Sequence, residues 1–428
     1  MKRVTIAVLA AAACCVGLWQ AVRVGRARTL AQDALRTNGV AYADRAVGLV
    51  PNDAETHAAR GSVLQRTGDY AGACRELERA IQLRPRDYFL WMLLGVSRDL
   101  NDDQQGAVRA LRQATLLSPA YAKSHWLLGN LLLRTSDTAE AIRELRFAAA
   151  SDETLLPNVI DLFWGIHRHD PAQTISAVQP QTENARMALA TFFAGHDQGS
   201  PALEQFRAVK SPSNEALQNL LNTLLQAKLF AEANEVWARI HHVSGGVPAL
   251  LNPGFEDEIA VGEPGFDWQI SDNLPNVTMS ADPSQYQSGQ KSLRIDFHGD
   301  SNPTTPAVTQ LVVVKPHTSY RLKFQALSKD YLSPSAPVLA ILDASDEKSA
   351  ALAESPGVSG ATAWREFSID FTTRDQTSAV RLQFGRQSCG GSPCAAFGTI
   401  WLDSFELTEL STTSDKALRP VIDALHRP

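Results

Sequence analysis

The sequence predicts an N-terminal membrane helix followed by two domains of different class, an all-α solenoid of helical repeats and an all-β jelly-roll sandwich. Three observations support this prediction. Residues 4–22 contain no charge, small and apolar residues recur every 34 positions, and period-two apolar alternation begins after residue 242. We divide the 428 residues into a membrane segment (1–23), helical repeats (24–243), a linker (244–248), a sandwich (249–410) and a tail (411–428).

Composition and charge exclude two broad classes of protein. Hydrophobic residues make up 44% and charged residues 20% of the chain, values that exclude wholesale disorder. The net charge of -6 argues against a dedicated nucleic-acid binder, which normally presents a basic face. Residues 247–410 contain 11 Lys and Arg against 20 Asp and Glu, so the acidity belongs to the predicted sandwich.

The uncharged run has the length of a membrane span. Nineteen helical residues extend for about 28 Å, close to the thickness of the hydrocarbon core of a bilayer. No small-x-small cleavage site follows the run, so we favour an uncleaved anchor over a signal peptide, or over a lipoprotein acylated at Cys14 or Cys15. Lys2 and Arg3 favour an N-terminus inside the cell, whereas the arginines after the run favour the opposite orientation.

The cysteines indicate the compartment. Cys389 and Cys394 flank a Gly-Gly-Ser-Pro turn that can bring the two sulfurs together. A zinc site would need two more ligands, which no nearby His or Cys supplies, so a disulfide is favoured over two unrelated thiols. A disulfide indicates an oxidising compartment. We therefore expect a bacterial cell-envelope protein with a single-pass inner-membrane anchor and an extracytoplasmic soluble part.

The 34-residue pattern defines three helical units, 54–87, 88–121 and 122–155. Small residues at fixed positions let two antiparallel helices approach closely, and proline ends the second helix. In the third unit Glu153 stands where proline is expected. A degenerate unit is expected at 20–53 and looser helices as far as residue 242. The recurring residues are Gly61, Gly95 and Gly129; Ala73, Ala107 and Ala141; Leu77, Leu111 and Leu145; Ala80, Ala114 and Ala148; and Pro85 and Pro119.

This pattern resembles the tetratricopeptide repeat. The resemblance implies an array that binds protein segments in a groove lined by the first helix of each unit. At the groove-facing positions the candidates for partner contact are Phe89, Met92, Val96, Trp126 and Asn130. The alternative is that these side chains pack inside the protein. Of the residues that clamp a peptide carboxylate in some of these repeats, Asn130 alone is present, so that specificity is not expected.

The C-terminal region reads as about nine short strands. Apolar and polar residues alternate, and this spacing suits a two-sheet sandwich or jelly roll. The predicted strands fall at 266–270, 275–281, 293–297, 306–315, 320–324, 336–343, 367–371, 380–384 and 397–409.

Several segments of this region resemble carbohydrate-binding modules of the galactose-binding-like jelly-roll kind over residues 249–410. They are LNPGFED (251–257), SGQKSLRIDF (288–297), QLVVVKPHTSYRLKFQA (310–326), TAWREFSIDFTT (362–373) and GTIWLDSFEL (398–407). The resemblance implies a noncatalytic sandwich that binds glycans through aromatic side chains and often holds a structural calcium ion.

By this resemblance the calcium ligands would be Glu256 and Asp403, with ordinary turn and strand-edge roles as the alternative. Calcium prefers several hard oxygen ligands, and one ion would tie the two ends of the domain together. The glycan-binding candidates are Tyr286 and Tyr331, in loop-like surroundings, and Trp401, whose phase is opposite to that of its neighbours in the last strand. For Trp401, packing in the core is the alternative.

No catalytic motif is present: the sequence has no HExxH, G-x-S-x-G, P-loop or dinucleotide fingerprint. We therefore expect a non-enzymatic, membrane-anchored adaptor. Its solenoid would bind a protein partner and its sandwich a glycan, in bacterial envelope polysaccharide assembly or export. A pure protein-interaction scaffold is the alternative, and a glycan hydrolase a further one.

Overall fold

The computed structural model describes residues 2–135, 137–243, 250–259, 265–271, 274–303, 305–360, 362–389 and 394–410. The predicted linker (244–248) and the predicted tail (411–428) lie outside the described residues. The chain divides into two compact units, residues 1–188 and 189–428.

The first unit is all-α. A single turn of 3-10 helix, Glu153–Leu155, precedes its ninth helix. The α-helices are α1 (Lys2–Thr37), α2 (Val40–Leu49), α3 (Ala54–Arg66), α4 (Tyr70–Leu83), α5 (Tyr88–Leu100), α6 (Gln104–Leu117), α7 (Ala122–Arg134), α8 (Thr138–Ser151), α9 (Leu156–Ile166), α10 (Pro171–Val178) and α11 (Glu183–Ala194), which crosses into the second unit.

Helix α1 is continuous through the apolar run and the first helix of the degenerate repeat. Val4–Thr37 is long and apolar enough to cross a membrane, and none of its most apolar stretch is buried in the protein. Burial begins further along the same helix, where Ala27 is fully enclosed. A signal sequence would have the same length and composition, so the membrane anchor stays a prediction.

The glycines of the 34-residue pattern lie where the paired helices touch. A Cβ added to Gly61 would lie 2.8 Å from Cγ of Leu77, and one added to Gly95 or Gly129 would lie 2.6 Å from Cγ of the equivalent leucine. These distances are shorter than any carbon–carbon contact, so α3–α4, α5–α6 and α7–α8 approach closely because these positions carry no side chain.

A second position, the fourth of each unit, joins the first helix to the turn before it. His57 Nε2 lies 2.9 Å from the Pro51 carbonyl oxygen, and His125 Nε2 lies 2.9 Å from that of Pro119. In the unit between them, Trp91 Nε1 donates to the Pro85 carbonyl at the same distance. The three donors thus make equivalent contacts every 34 residues, and a tryptophan can replace histidine because each ring offers an N–H at its outer edge.

Among the described residues of the second unit, the end of α11 is followed by three helices and two five-stranded sheets. The helices are α12 (Gly199–Arg207), α13 (Asn214–Gln226) and α14 (Phe230–Ile240). The strands are β1 (Gln269–Ile270), β2 (Val277–Asp282), β3 (Ser292–Asp300), β4 (Val308–Val313), β5 (Ser319–Leu332), β6 (Pro337–Asp343), β7 (Ala351–Glu354), β8 (Arg365–Thr372), β9 (Ala379–Arg386) and β10 (Ala395–Glu409). The order of neighbouring strands is β1-β4-β9-β6-β7 in one sheet and β2-β3-β10-β5-β8 in the other, and all neighbours are antiparallel.

Each of the nine predicted strands corresponds to an observed one, and β7 was missed. Its four residues are exposed or half-buried and it lies at a sheet edge, so it carries no apolar alternation. The two sheets share one core, in which the fully buried Trp268, Phe324 and Phe384 are among the largest side chains. A helical region followed by antiparallel sheets is therefore confirmed.

The last two helices pack on a sheet rather than ending a separate helical domain. Phe230 of α14 is buried against Ala344 and Ala379, next to β6 and in β9 respectively. The Lys228 ammonium donates to the Ser345 carbonyl oxygen at 3.1 Å, and the ring of Trp237 meets that of Phe266 edge to face. The observed division at 188/189 thus differs from the predicted one at 244–248, because these helices bury apolar side chains on strands.

Candidate functional site

A cleft of about 230 Å³ opens on the first helices of successive repeats in the first unit. Its apolar wall includes two exposed side chains, Leu35 of α1 and Phe89 of α5, which are 37% and 46% accessible. The lining residues come from α1, α3, α5 and the turn before α5: Arg28, Ala31, Gln32, Leu35, Ala54, Glu55, Ala58, Ala59, Ser62, Arg84, Asp87, Phe89, Leu90 and Leu93.

Charged groups at the cleft are held by ion pairs. Arg28 Nε lies 3.1 Å from Oδ2 of Asp53, and Arg84 lies 3.8 Å from the other oxygen of that carboxylate. Burial acts to raise the pKa of Asp53, but the hydrogen bond and charge of Arg28 outweigh it and lower that pKa. The pairs fix the position of the turn between α2 and α3, so the rim of the cleft is preorganised.

The structure does not bring the five residues of the predicted partner groove together at this cleft. Of its five residues, Phe89 alone lines this cleft. Met92 is 3% accessible and packs among side chains of α6 and α7, so the prediction that it contacts a partner is wrong. Val96, Trp126 and Asn130 are half-buried, and the Asn130 amide donates to the Trp126 carbonyl oxygen of its own helix at 2.8 Å.

Leu35, Ala31 and Gln32 were not predicted, because the degenerate unit that contains them has no clear repeat motif. Ala58 and Ser62 lie 34 residues before Met92 and Val96 and so occupy the same groove-facing positions in the 54–87 unit. Their small size gave no apolar signal, yet it leaves the space that Phe89 and Leu35 border.

In the second unit, Asp403 closes the domain by holding a distant loop. A bulge in β10 between Asp403 and Glu406, with Ser404 at a φ of 54°, breaks the strand register there. The Asp403 carboxylate is fully buried, and its Oδ2 accepts the backbone N–H groups of Gln287 (2.7 Å) and Ser288 (3.0 Å).

Glu256 binds the same loop from the opposite end of the domain. Its Oε1 accepts the backbone N–H groups of Gln290 (2.8 Å) and Lys291 (3.2 Å). Gly289 permits this approach, since it has a φ of 68° and a Cβ there would clash with Glu256, only 1.9 Å from Oε1. Both predicted calcium ligands therefore meet at one loop, although they are far apart in the sequence.

A calcium ion held by Glu256 and Asp403 stays a prediction. Calcium is bound by oxygen atoms, and one oxygen of each carboxylate, Oδ2 of Asp403 and Oε1 of Glu256, accepts N–H donors here. Within the described ranges, no group of three or more His, Cys, Asp or Glu side chains is placed to share a metal ion. The carboxylates act as anchors for the amides of residues 287–291.

The three predicted glycan-binding aromatic residues differ in exposure. Tyr286 is 45% accessible and free to stack on a ligand. Tyr331 packs edge to face on Phe297 and donates its hydroxyl to the Ser335 carbonyl oxygen, so most of its ring is committed to the core. Trp401 is 6% accessible, and the prediction that it stacks on a sugar is wrong because its ring is covered.

The cover of Trp401 is a polar cluster on the outer side of β3 and β10. The Arg294 guanidinium lies over the indole at 5.5 Å, and the indole N–H donates to Oδ2 of Asp282 at 2.9 Å. Burial acts to raise the pKa of Asp282, but hydrogen bonds from Ser284 and Trp401 and the charge of Arg294 outweigh it and lower the pKa to about 2.

This cluster predicts a specific loss of stability in acid. Because the pKa of Asp282 falls on folding from its ordinary value of 3.8, its ionised form stabilises the fold above pH 4. That contribution, about 2 kcal/mol, is lost as the pH falls from 4 toward 2. Urea unfolding at a series of pH values should show this loss in the wild type and not in Asp282→Asn. Equal pH dependence in the two proteins would contradict the role given to Asp282.

Cys389 and Cys394 form a disulfide, with Cα atoms 6.0 Å apart. Cys14 and Cys15 are free and exposed, and Cys74 is free and buried. Residues 390–393, which contain the predicted turn, lie outside the described part of the chain.

Thiol counting tests the disulfide and with it the predicted compartment. In unreduced protein that has been denatured, an alkylating reagent should modify three of the five cysteines, and after reduction all five. Mass spectrometry of the peptide that contains residues 389–394 identifies the protected pair. Modification of all five cysteines without reductant, in protein purified from cells without a reducing agent, would contradict the disulfide.

Comparison with known proteins identifies one part of the chain. Residues 54–87 match the tetratricopeptide repeat family, which agrees with the first of the three predicted units. No curated protein matches the chain. The jelly-roll carbohydrate-binding resemblance of residues 249–410 is not confirmed by any of these matches.

Several solved structures share weak similarity with the chain. The crystal structure of MamA protein has 17% identity over 52% of this chain and 99% of its own, with a TM-score of 0.27. A MamA fragment from Desulfovibrio magneticus RS-1 has 19% identity over 44% of this chain and 93% of its own, with a TM-score of 0.29. A mutant O-GlcNAc transferase from Thermobaculum terrenum has 20% identity over 30% of this chain and 26% of its own, with a TM-score of 0.28. At these scores the similarities carry no argument about function.

Proposed function

We propose that this protein is a non-enzymatic interaction scaffold whose repeats bind a segment of a protein partner in the cleft beside Phe89. The observation that carries the proposal is an exposed apolar surface in a cleft whose rim is held by ion pairs. Phe89 and Leu35 are exposed there, while the ion pairs of Arg28 and Arg84 with Asp53 fix the rim. Exposed apolar side chains that border one cleft are typical of binding surfaces.

The chemistry of the cleft indicates the kind of segment that it takes. Its centre is lined by small residues such as Ala58 and Ser62, so it accepts one bulky apolar side chain of the partner. Glu55 and Arg84, both at the rim and both about half-exposed, offer one charge of each sign to the flanking residues. We propose an extended or helical segment with a central aromatic or leucine residue.

The setting of this scaffold is also a proposal. The exposed apolar half of α1 supports a membrane anchor, and the disulfide supports an extracytoplasmic location of the sheet unit. A more specific form of the proposal is a role in bacterial envelope polysaccharide assembly or export, in which the sheet unit contacts a glycan. It is supported by the sequence resemblance of residues 249–410 and by the exposure of Tyr286.

Substitution at the cleft tests the scaffold. A photo-crosslinking amino acid at position 89, in cells that express the full chain, should capture the partner, whose affinity is then measured with both purified proteins. We expect Phe89→Ala to weaken binding about tenfold, as for an anchor residue that costs more than 1 kcal/mol. Its thermal stability should hardly change, because the side chain is exposed.

Leu116→Ala is the matched control, since Leu116 is a 74% accessible leucine of α6 that lies outside the cleft. A crosslink at position 116 but not at position 89, or equal affinity of the Phe89 variant and the wild type, would contradict the cleft as the binding site. A glycan array probed with the full chain and with Tyr286→Ala decides separately whether the sheet unit binds a sugar.

A further inference from the structure

The end of the apolar run and the start of the repeat array are very close along one helix. Val22 is the last residue of the run, and Ala27, five positions later, is fully buried by the first helix pair. Five helical residues span about 7.5 Å. The headgroup layer of a bilayer is about 5–8 Å deep on each side. In an anchored chain, therefore, the first repeat begins inside or directly at the headgroup layer, with no flexible linker.

Two turns lie at this level of α1. The Arg23 guanidinium donates to the Leu49 carbonyl oxygen at 2.6 Å, which sets the end of α2 beside residue 23. Arg79 donates to the side chain of Asn52 at 3.2 Å, which brings the last turn of α4 to the same place. The ion pair of Arg84 with Asp53 adds the turn before α5. Residues 49–53 thus lie beside α1 between residues 23 and 28, and the turn at 84–87 lies next to them.

Segments 23–28, 49–55 and 79–87 contain six arginines and three carboxylates. Asp53 and Glu55 are paired with arginines, and Asp87 caps α5 through the Phe89 amide. Arg26 and Arg86 are exposed, and neither has an acidic partner among the ion pairs of the described residues. Arg23 lies over the ring of Trp19 at 5.1 Å, as expected of an aromatic residue at a membrane interface.

We propose that this basic edge, formed by Arg23, Arg26, Arg79 and Arg86, rests on anionic phospholipid headgroups and so fixes the direction in which the repeat array leaves the membrane. The inference rests on the proposed anchor. Arginines near an anionic lipid surface gain favourable electrostatic energy that decays within a Debye length. The edge lies beside the helix exit, while the chain as a whole is acidic, so a membrane fits this patch better than a soluble polyanion.

Depth-dependent quenching of a fluorophore tests the contact in the full-length protein. The label is placed at Gln82→Cys, beside Arg79, in a chain whose Cys14 and Cys15 are replaced by alanine, since Cys74 is buried. The protein is reconstituted in phosphatidylcholine vesicles with a nitroxide headgroup quencher, with and without phosphatidylglycerol. We expect stronger quenching with phosphatidylglycerol and a decline of that gain at high salt. A label at Ala71→Cys, near the opposite end of α4 and about 16 Å from position 82 along the helix axis, should be quenched much less.

The charge contribution is isolated by Arg26→Gln combined with Arg86→Gln. Each arginine near an anionic surface shifts the equilibrium toward the lipid-bound orientation by about fivefold, so the double variant should lose most of the phosphatidylglycerol effect. Arg109→Gln, an exposed arginine of α6 outside the edge, is the control and should keep it. Equal quenching in both lipids, or an unchanged double variant, overturns the proposal. A wild-type chain that does not float with vesicles overturns the anchor itself.

Discussion

Replacing Asp403 by alanine is expected to lower the free energy of unfolding of the sheet unit by about 4 kcal/mol, because two backbone amides lose a charged acceptor. The carboxylate is fully buried and binds the N–H groups of Gln287 and Ser288. Hydrogen bonds to a charged group contribute about 1.5–3 kcal/mol each, and Asp403→Ala removes two of them. Chemical denaturation, followed by the fluorescence of the tryptophans in this unit, measures the loss.

Two variants calibrate this result. Asp375→Ala removes an exposed aspartate of the same unit, paired at the surface with His317, and should change stability by less than about 0.5 kcal/mol. Glu256→Gln keeps an oxygen that can accept the amides of Gln290 and Lys291, so its cost should be about 1 kcal/mol. A loss below about 1 kcal/mol for Asp403→Ala would contradict the anchoring role.

Thermal unfolding in the presence of calcium or of a chelator decides the calcium prediction. Since the two carboxylates already accept backbone N–H groups, we expect equal melting temperatures of the wild type in calcium and in chelator. A cation bound only by the folded state would stabilise it by about 2.7 kcal/mol at a hundredfold excess over Kd. A lower melting temperature in chelator, absent in Asp403→Asn, would restore Glu256 and Asp403 as calcium ligands and contradict the anchoring interpretation.

The repeats were predictable because their packing depends on sequence period alone. A glycine that must face a leucine one helix later recurs at a fixed spacing, as Gly95 and Leu111 do, and any self-comparison finds it. The groove was less predictable. Met92 stands at a groove-facing position, but in this chain the following helices cover it, and no local pattern reports which neighbour lies above a side chain.

The same limit applies to the sheets. The phase of Trp401 correctly placed it opposite to the core residues Ile400 and Leu402, yet its exposure depended on Arg294 from another strand. The meeting of Glu256 and Asp403 at one loop followed from the family resemblance, and no spacing rule would have found it. What the two carboxylates bind is a matter of backbone N–H direction, which the sequence does not encode locally.

The place of the last helix pair was not predictable for a related reason. An amphipathic helix has one apolar face whether it packs on another helix or on a sheet. Phe230 and Trp237 therefore looked like a continuation of the repeat array. In the structure, Phe230 is buried against Ala344 and Ala379, and Trp237 is accommodated by Gly265, where a Cβ would lie 2.3 Å from the indole nitrogen.

This packing predicts that helices α13 and α14 unfold together with the strands. Phe230→Ala should destabilise the second unit by about 3–4 kcal/mol, the usual cost of removing a buried phenylalanine. Hydrogen exchange followed by mass spectrometry should show faster exchange in both α14 and β9 of the variant, because the two elements share the lost contact. Phe397→Ala is the matched control, since that ring is 49% accessible and its loss should leave the exchange rates unchanged. Faster exchange confined to α14, with β9 unaffected, would show that the helix pair is independent of the sheet and would return the domain boundary to residues 244–248.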